Sequence, residues 1–163
     1  MKIAFIQLFL VFLAPALFAQ DPGKLSIGEL TVRLIFASNG DVKAAGELVK
    51  ELPADEVKEL QKIDELNFKA YRLLGTDTPD ILKDYENWAT PLKPSKEILV
   101  SFQPLERIGH DKIQMVMEYW QGKQKILSTN PTLTKGKTLN LLGPEWRKGR
   151  LILSLKISRL EKP

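Results

Sequence analysis

Between residues 30 and 37 the chain reads LTVRLIFA, in which Leu30, Val32, Leu34 and Phe36 alternate with Thr31, Arg33, Ile35 and Ala37. A period of two predicts a strand, here with one strongly apolar face. Ser38, Asn39, Gly40 and Asp41 break it, and Asp41 is placed to cap the next element. There the period changes. Val42, Ala45, Leu48, Val49 and Leu52, then Val57, Leu60, Ile63 and Leu66, recur three and four apart, the spacing of amphipathic helices. Pro53 divides the run, because proline is tolerated in the first turn of a helix and not in its interior. Two short helices are therefore expected, over 42–51 and 54–65, with the intervening Lys and Glu as a solvated face.

Residues 67–75, NFKAYRLLG, read as a strand that rejoins the first by a helical crossover. Residues 76–97 hold prolines at 79, 91 and 94, which leaves room for a helical turn near 80–86 and a short edge segment around Trp88. Alternation then returns. Ile98, Val100 and Phe102 form one apolar set, and Ile113, Met115, Met117 and Tyr119 oppose Gln114, Val116, Glu118 and Trp120. Turn signals at 108–111, 121–124 and 135–137 separate these runs from KILST and TLNLL, and RLILSLKISRL closes the chain. The pattern is α+β: an antiparallel β-sheet or β-sandwich with a helical crossover, about 42–65, after the first strand.

The first residues change the picture of where the protein works. MKIAFIQLFLVFLAPALFAQ has one lysine, an apolar run from Ile3 to Leu13 and small residues before Gln20, the pattern of a signal peptide over 1–19 with cleavage after Ala19. The run is shorter than the ~20 residues of a membrane-spanning helix, so no stable membrane insertion is expected after cleavage. A periplasmic or secreted location is expected in consequence. Residues 20–29 then form a lead-in, and 30–160 a single β-rich domain. Without residues 1–19 the chain keeps 144 residues, with 23 basic against 20 acidic side chains. That mild balance, with Lys and Glu interspersed, argues against nucleic acid. A domain of this size buries roughly two thirds of its unfolded surface, enough for a core without staples.

Phe68, Tyr71, Arg72, Leu73 and Leu74, then a meander, and then Leu151 to Leu155 after a closing glycine resemble the order found in a group of uncharacterised exported bacterial β-rich proteins. The resemblance covers about residues 30–158 and implies bacterial export and a small β-rich domain. It implies no activity, ligand or functional residue.

Candidate chemistry is sparse. There is no cysteine, hence no disulfide, thiol nucleophile, thiolate metal site or acylated lipoprotein cysteine. The single histidine, His110, sits in a Gly-His-Asp-Lys turn and reads as an exposed turn residue. Glu118 beside Tyr119 and Trp120, and Asp84 and Glu86 around Tyr85, are acids near aromatics without a constellation that selects them for catalysis. No cofactor, metal or catalytic residue is expected, and the chain reads as a non-enzyme.

Binding carries more weight. The segment GPEWRKGR, 143–150, sets Trp146 among Arg147, Lys148 and Arg150, while alternation turns Trp120 toward the polar side of its strand. Trp120, Trp146, Arg147, Lys148 and Arg150 are the candidate binding residues. The leading reading is a non-catalytic envelope protein, a structural or interaction module with a protein partner. The alternative is a carbohydrate or cell-wall binding module using Trp88, Trp120 and Trp146, which requires at least two tryptophans exposed on one surface.

Overall fold

The computed structural model describes residues 21–46 and 49–162; the expected signal peptide lies outside them. The period-two run belongs to β1 (Ser26–Ser38), which pairs antiparallel with the last strand, β11 (Gly149–Leu160), from Gly28 opposite Leu160 to Ala37 opposite Arg150. Around this pair a six-stranded sheet forms in the order β10 (Thr138–Trp146), β11, β1, β3 (Ala70–Asp77), β2 (Lys50–Glu51). β4 (Asp80–Leu82) continues the β3 edge along β1. A second, five-stranded sheet has the order β5 (Asn87–Ala89), β6 (Ile98–Ile108), β7 (Lys112–Gln121), β8 (Gln124–Thr129), with β9 (Thr132–Thr134) also on β7. Every pairing is antiparallel.

The alternating sets dictate how the sheets stack. Leu30, Val32, Leu34 and Phe36 of β1, with Leu151, Leu153, Leu155 and Ile157 of β11, share one buried cluster with Ile98, Val100 and Phe102 of β6 and Ile113, Met115, Met117 and Tyr119 of β7. Each such side chain contributes about 1.5–3 kcal/mol when fully buried. Ile35, Ala37 and Ile152 point the other way, into a second cluster with Leu52, Leu60, Leu66 and Tyr71. Tyr71 pins that layer to the sheet: its hydroxyl donates to the Leu66 carbonyl at 2.6 Å and accepts from the Phe68 N–H at 2.8 Å.

Four expectations need correction. The helix over 42–51 is a 3-10 turn, Val42–Ala45, which Asp41 caps by accepting from Lys43 N at 2.9 Å. Gly46, at φ 109°, leaves helical geometry, and Lys50 and Glu51 pair with Leu73 and Arg72 as β2. Residues 47–48 lie outside the described residues. The second helix is α1 (Ala54–Gln61), shorter than expected, with a 3-10 turn at Asp64–Leu66. The turn near 80–86 is instead β4, because β1 begins at Ser26 and offers an edge to which Ile81, fully buried, can pair. That early start takes in part of the expected lead-in; a register shift between Glu29 and Leu30 disguises it as irregular sequence.

The proline-rich 76–97 connection is tied down by Asp77. Its carboxylate accepts from Thr90 N at 2.7 Å, Lys93 Nζ at 2.6 Å and Thr78 N at 3.1 Å. Burial opposes its charge, but these hydrogen bonds outweigh burial and hold the carboxyl below its ordinary range. A carboxyl depressed in the folded state adds stability above its unfolded pKa and loses it as pH falls through the folded value. Asp77→Asn should therefore cost ~1–2 kcal/mol at neutral pH. In denaturant titrations the gap from the parent should close as the pH drops below the usual carboxylate range. A gap that stays constant with pH would mean the charge is not what matters.

Candidate functional site

The outer face of the five-stranded sheet is set by β7, whose inward residues Met117 and Tyr119 are buried and whose next neighbours, Glu118 and Trp120, turn outward. β5 follows the same rule. Asn87 and Ala89 are buried, and Trp88 between them is 45% exposed. Asn87 orients this short strand by accepting from Leu82 N at 3.2 Å and donating to the Tyr85 carbonyl at 2.8 Å. Across β6, Ser101 stands opposite both Trp88 and Glu118, and Leu99 opposite Trp120. The two indoles meet above it, ring centroids 6.3 Å apart and planes inclined at 46°.

Trp120 is held in place by its neighbours. Its Nε1 donates to Glu118 Oε2 at 3.1 Å, Glu118 Oε1 accepts from Lys125 Nζ at 2.8 Å, and that ammonium lies 5.6 Å from the Trp120 ring centre. The Lys125 hydrogen bond holds the Glu118 carboxyl below its ordinary range; desolvation opposes this, while the charge of Lys125 and the indole N–H reinforce it. The acid that sequence reasoning weighs for catalysis is thus an anionic clamp on an aromatic ring.

The other candidates gather elsewhere. β10 runs on to Trp146 and β11 starts at Gly149, so the GPEWRKGR loop is only a two-residue turn, Arg147 and Lys148, at φ 46° and 67°. Gly143 and Pro144, residue types that usually interrupt strands, lie inside β10 at a register shift between Leu142 and Glu145. Arg150 supports that irregularity, with Nε and Nη2 both donating to the Gly143 carbonyl at 3.1 and 2.8 Å.

Trp146 is 7% exposed. It packs edge-on against Phe36 with centroids 5.8 Å apart, and its Nε1 donates to Glu97 Oε1 at 3.0 Å, joining the hairpin of one sheet to the entry of β6 in the other. The Arg147 guanidinium covers the ring at 4.2 Å. Gly149 permits this closure, since a Cβ there would stand 2.4 Å from the Phe36 ring and 2.6 Å from the Ala37 carbonyl oxygen.

Of the five candidates, then, Trp120 joins Trp88 on the outer sheet face, while Trp146, Arg147, Lys148 and Arg150 share the β10–β11 hairpin. Sequence reasoning leaves Trp88 out of the primary set because it lies in the proline-rich segment; its place at the middle of a three-residue strand with buried neighbours is the missed signal. Lys125 is missed because nothing in KILST marks which face it takes. His110 is exposed in the turn between β6 and β7, and Asp84 and Glu86 are exposed between β4 and β5. Among the described residues no three His, Asp or Glu side chains gather as metal ligands, and no helix is long and apolar enough to cross a membrane. No protein-family model, curated protein or solved structure matches the chain.

The two kinds of tryptophan should separate in unfolding experiments. Trp146→Ala removes a buried ring and strands Glu97, and should cost ~3–5 kcal/mol. Trp88→Ala, on the surface, should cost less than about 1 kcal/mol. Equal losses in the two variants would show that Trp88 is structural as well.

Proposed function

We propose that this protein is an exported, non-catalytic β-sandwich module that binds carbohydrate on the outer face of its five-stranded sheet. The observation that carries this reading is the Trp88–Trp120 pair, two solvent-facing indoles 6.3 Å apart on one surface. A pyranose presents apolar C–H faces and a rim of hydroxyls. The pair offers the complement: indole faces for stacking, and Glu118 and Lys125 beside them for hydrogen bonds. Because Trp120 is already fixed by Glu118, little side-chain freedom is lost on binding.

The geometry also narrows the ligand. The ring planes meet at 46°, so they form a shallow notch rather than a flat shelf. A notch suits one sugar, or two adjacent ones, of a soluble glycan chain better than a flat crystalline surface. Export rests on the N-terminal pattern of residues 1–19, and the segment between the antiparallel neighbours β1 and β3, which holds α1, two 3-10 turns and β2, covers the far side of the other sheet through Leu60 and Leu66.

A protein partner docked along a sheet edge is the second reading. It draws on β8, an edge strand with Ile126 and Leu127 exposed. The platform ranks first because it combines exposed aromatic area with hydrogen-bonding groups already held in place.

Affinity electrophoresis and calorimetry against soluble glycans, with sedimentation on purified cell wall, test the proposal. At least one glycan should retard the parent protein, and Trp88→Ala and Trp120→Ala should each weaken binding about tenfold or more, ~1.4 kcal/mol. Failure of every glycan, or binding indifferent to both variants, would remove the platform from consideration.

A further inference from the structure

β8 and β10 each end a sheet, and they border the same opening between the two. Both edges are irregular. Pro144, which has no N–H, and the register shift beside it interrupt β10; a second shift, at Tyr119 and Trp120, leaves Ile126 without a partner on β7. Between them lies an apolar cleft of about 250 Å³, walled by Tyr119, Leu141, Leu142 and Leu153, with Ile126 and Leu127 each 37% exposed on the β8 side. The volume holds on the order of eight groups the size of a water molecule. That is room for a medium-length alkyl chain and too little for a long one.

Two further features point to an amphiphile. Arg150 lines this cleft and also a polar one of about 520 Å³, where Arg147 and Lys148 stand with Asn39, Gly40 and one carboxylate, Glu145. None of the three cations has an ion-pair partner among the described residues, and Arg150 uses only Nε and Nη2 on Gly143. The Tyr119 hydroxyl, in the wall of the apolar cleft, is buried without a hydrogen-bond partner. Burial, and then the nearby Glu97 carboxylate, keep that phenol protonated far above neutral pH. It is a donor lacking an acceptor, a deficit that an oxygen of a ligand would remove.

We infer that this composite groove binds a single-chain amphiphile with an anionic head, its alkyl chain between β8 and β10 and its carboxylate or phosphate at Arg150, Arg147 and Lys148. The site is separate from the tryptophan platform, which lies on the opposite face of β7, and it does not depend on the carbohydrate reading.

Calorimetry with decanoate and decyl phosphate below their micelle concentrations tests this, with decanol, acetate and inorganic phosphate as partial ligands. The two anionic amphiphiles should bind at one site, decanol at least tenfold more weakly, and acetate and phosphate not measurably. Tighter decanoate would assign a fatty acid, and tighter decyl phosphate a single-chain phospholipid. Arg147→Glu combined with Lys148→Glu, with circular dichroism as the control for folding because Arg147 stacks on Trp146, should weaken the anionic ligands tenfold or more and leave decanol unchanged; Lys148→Glu alone, which leaves that stack in place, should weaken them in the same direction. Leu142→Gln should weaken all three. Trp88→Ala should leave decanoate binding intact, so failure here and failure of the glycan platform read separately. The inference is overturned if neither amphiphile binds the parent, or if the double charge variant binds as well as the parent.

Discussion

Burial of β1 on both faces is the constraint on which the architecture depends. Leu30, Val32, Leu34 and Phe36 are closed off by the five-stranded sheet, while Ile35 and Ala37 on the reverse side are equally buried. A strand of this kind must be central, and its second face must be covered by something other than solvent. Leu60 of α1, Leu66 of the 3-10 turn and Tyr71 of β3 provide that cover. The partner that completes the centre is the last strand of the chain, so Gly28 waits for Leu160. Such a long-range pairing is slow to form, because the entropy of closing a long loop is lost before the contact offsets it.

The same constraint explains what was legible in the sequence. Where one face is buried and the other wet, as in β7 with Met115, Met117 and Tyr119 against Gln114, Val116 and Glu118, alternation gives the strand and its orientation directly. Where a strand is short or buried on both sides the signal fades. β4 contributes only Ile81 to the core, in a segment whose prolines and acids read as loop. Residues 42–52 have helical spacing because Ala45 and Leu52 both reach buried positions. Gly46 divides them, however, and a backbone pairing with Leu73 and Arg72 claims residues 50 and 51. Tertiary hydrogen bonding overrode local periodicity there.

The tryptophans were visible as residues but not as partners. Alternation assigns Trp120 to the solvent side, yet its companion Trp88 arrives from a strand 32 positions earlier, across β6. Trp146 is ambiguous in sequence for the same reason: the carboxylate that decides its orientation, Glu97, is 49 residues away. The turn after it carries two left-handed residues, Arg147 and Lys148, where Asn or Gly would be less strained. The strain is tolerated because Trp146, Gly149 and Phe36 close around one another on the far side of the turn, leaving both cations at the surface.

β8 links the two proposed surfaces. Its register shift lets two successive residues, Ile126 and Leu127, border the same apolar cleft, while Lys125 pairs with Trp120 and supports the aromatic platform. A regular strand would alternate these positions and could not place two successive apolar side chains beside the same opening. As an edge strand it has hydrogen bonds on one side only and little burial, so it moves at less cost than the central strands β6 and β7. A ligand that ordered Ile126 and Leu127 would also restrict Lys125, which is bonded to Glu118 and through it to Trp120. Coupling between the two surfaces, if they are occupied together, would run through three consecutive residues of β8 rather than through the rigid centre of the fold.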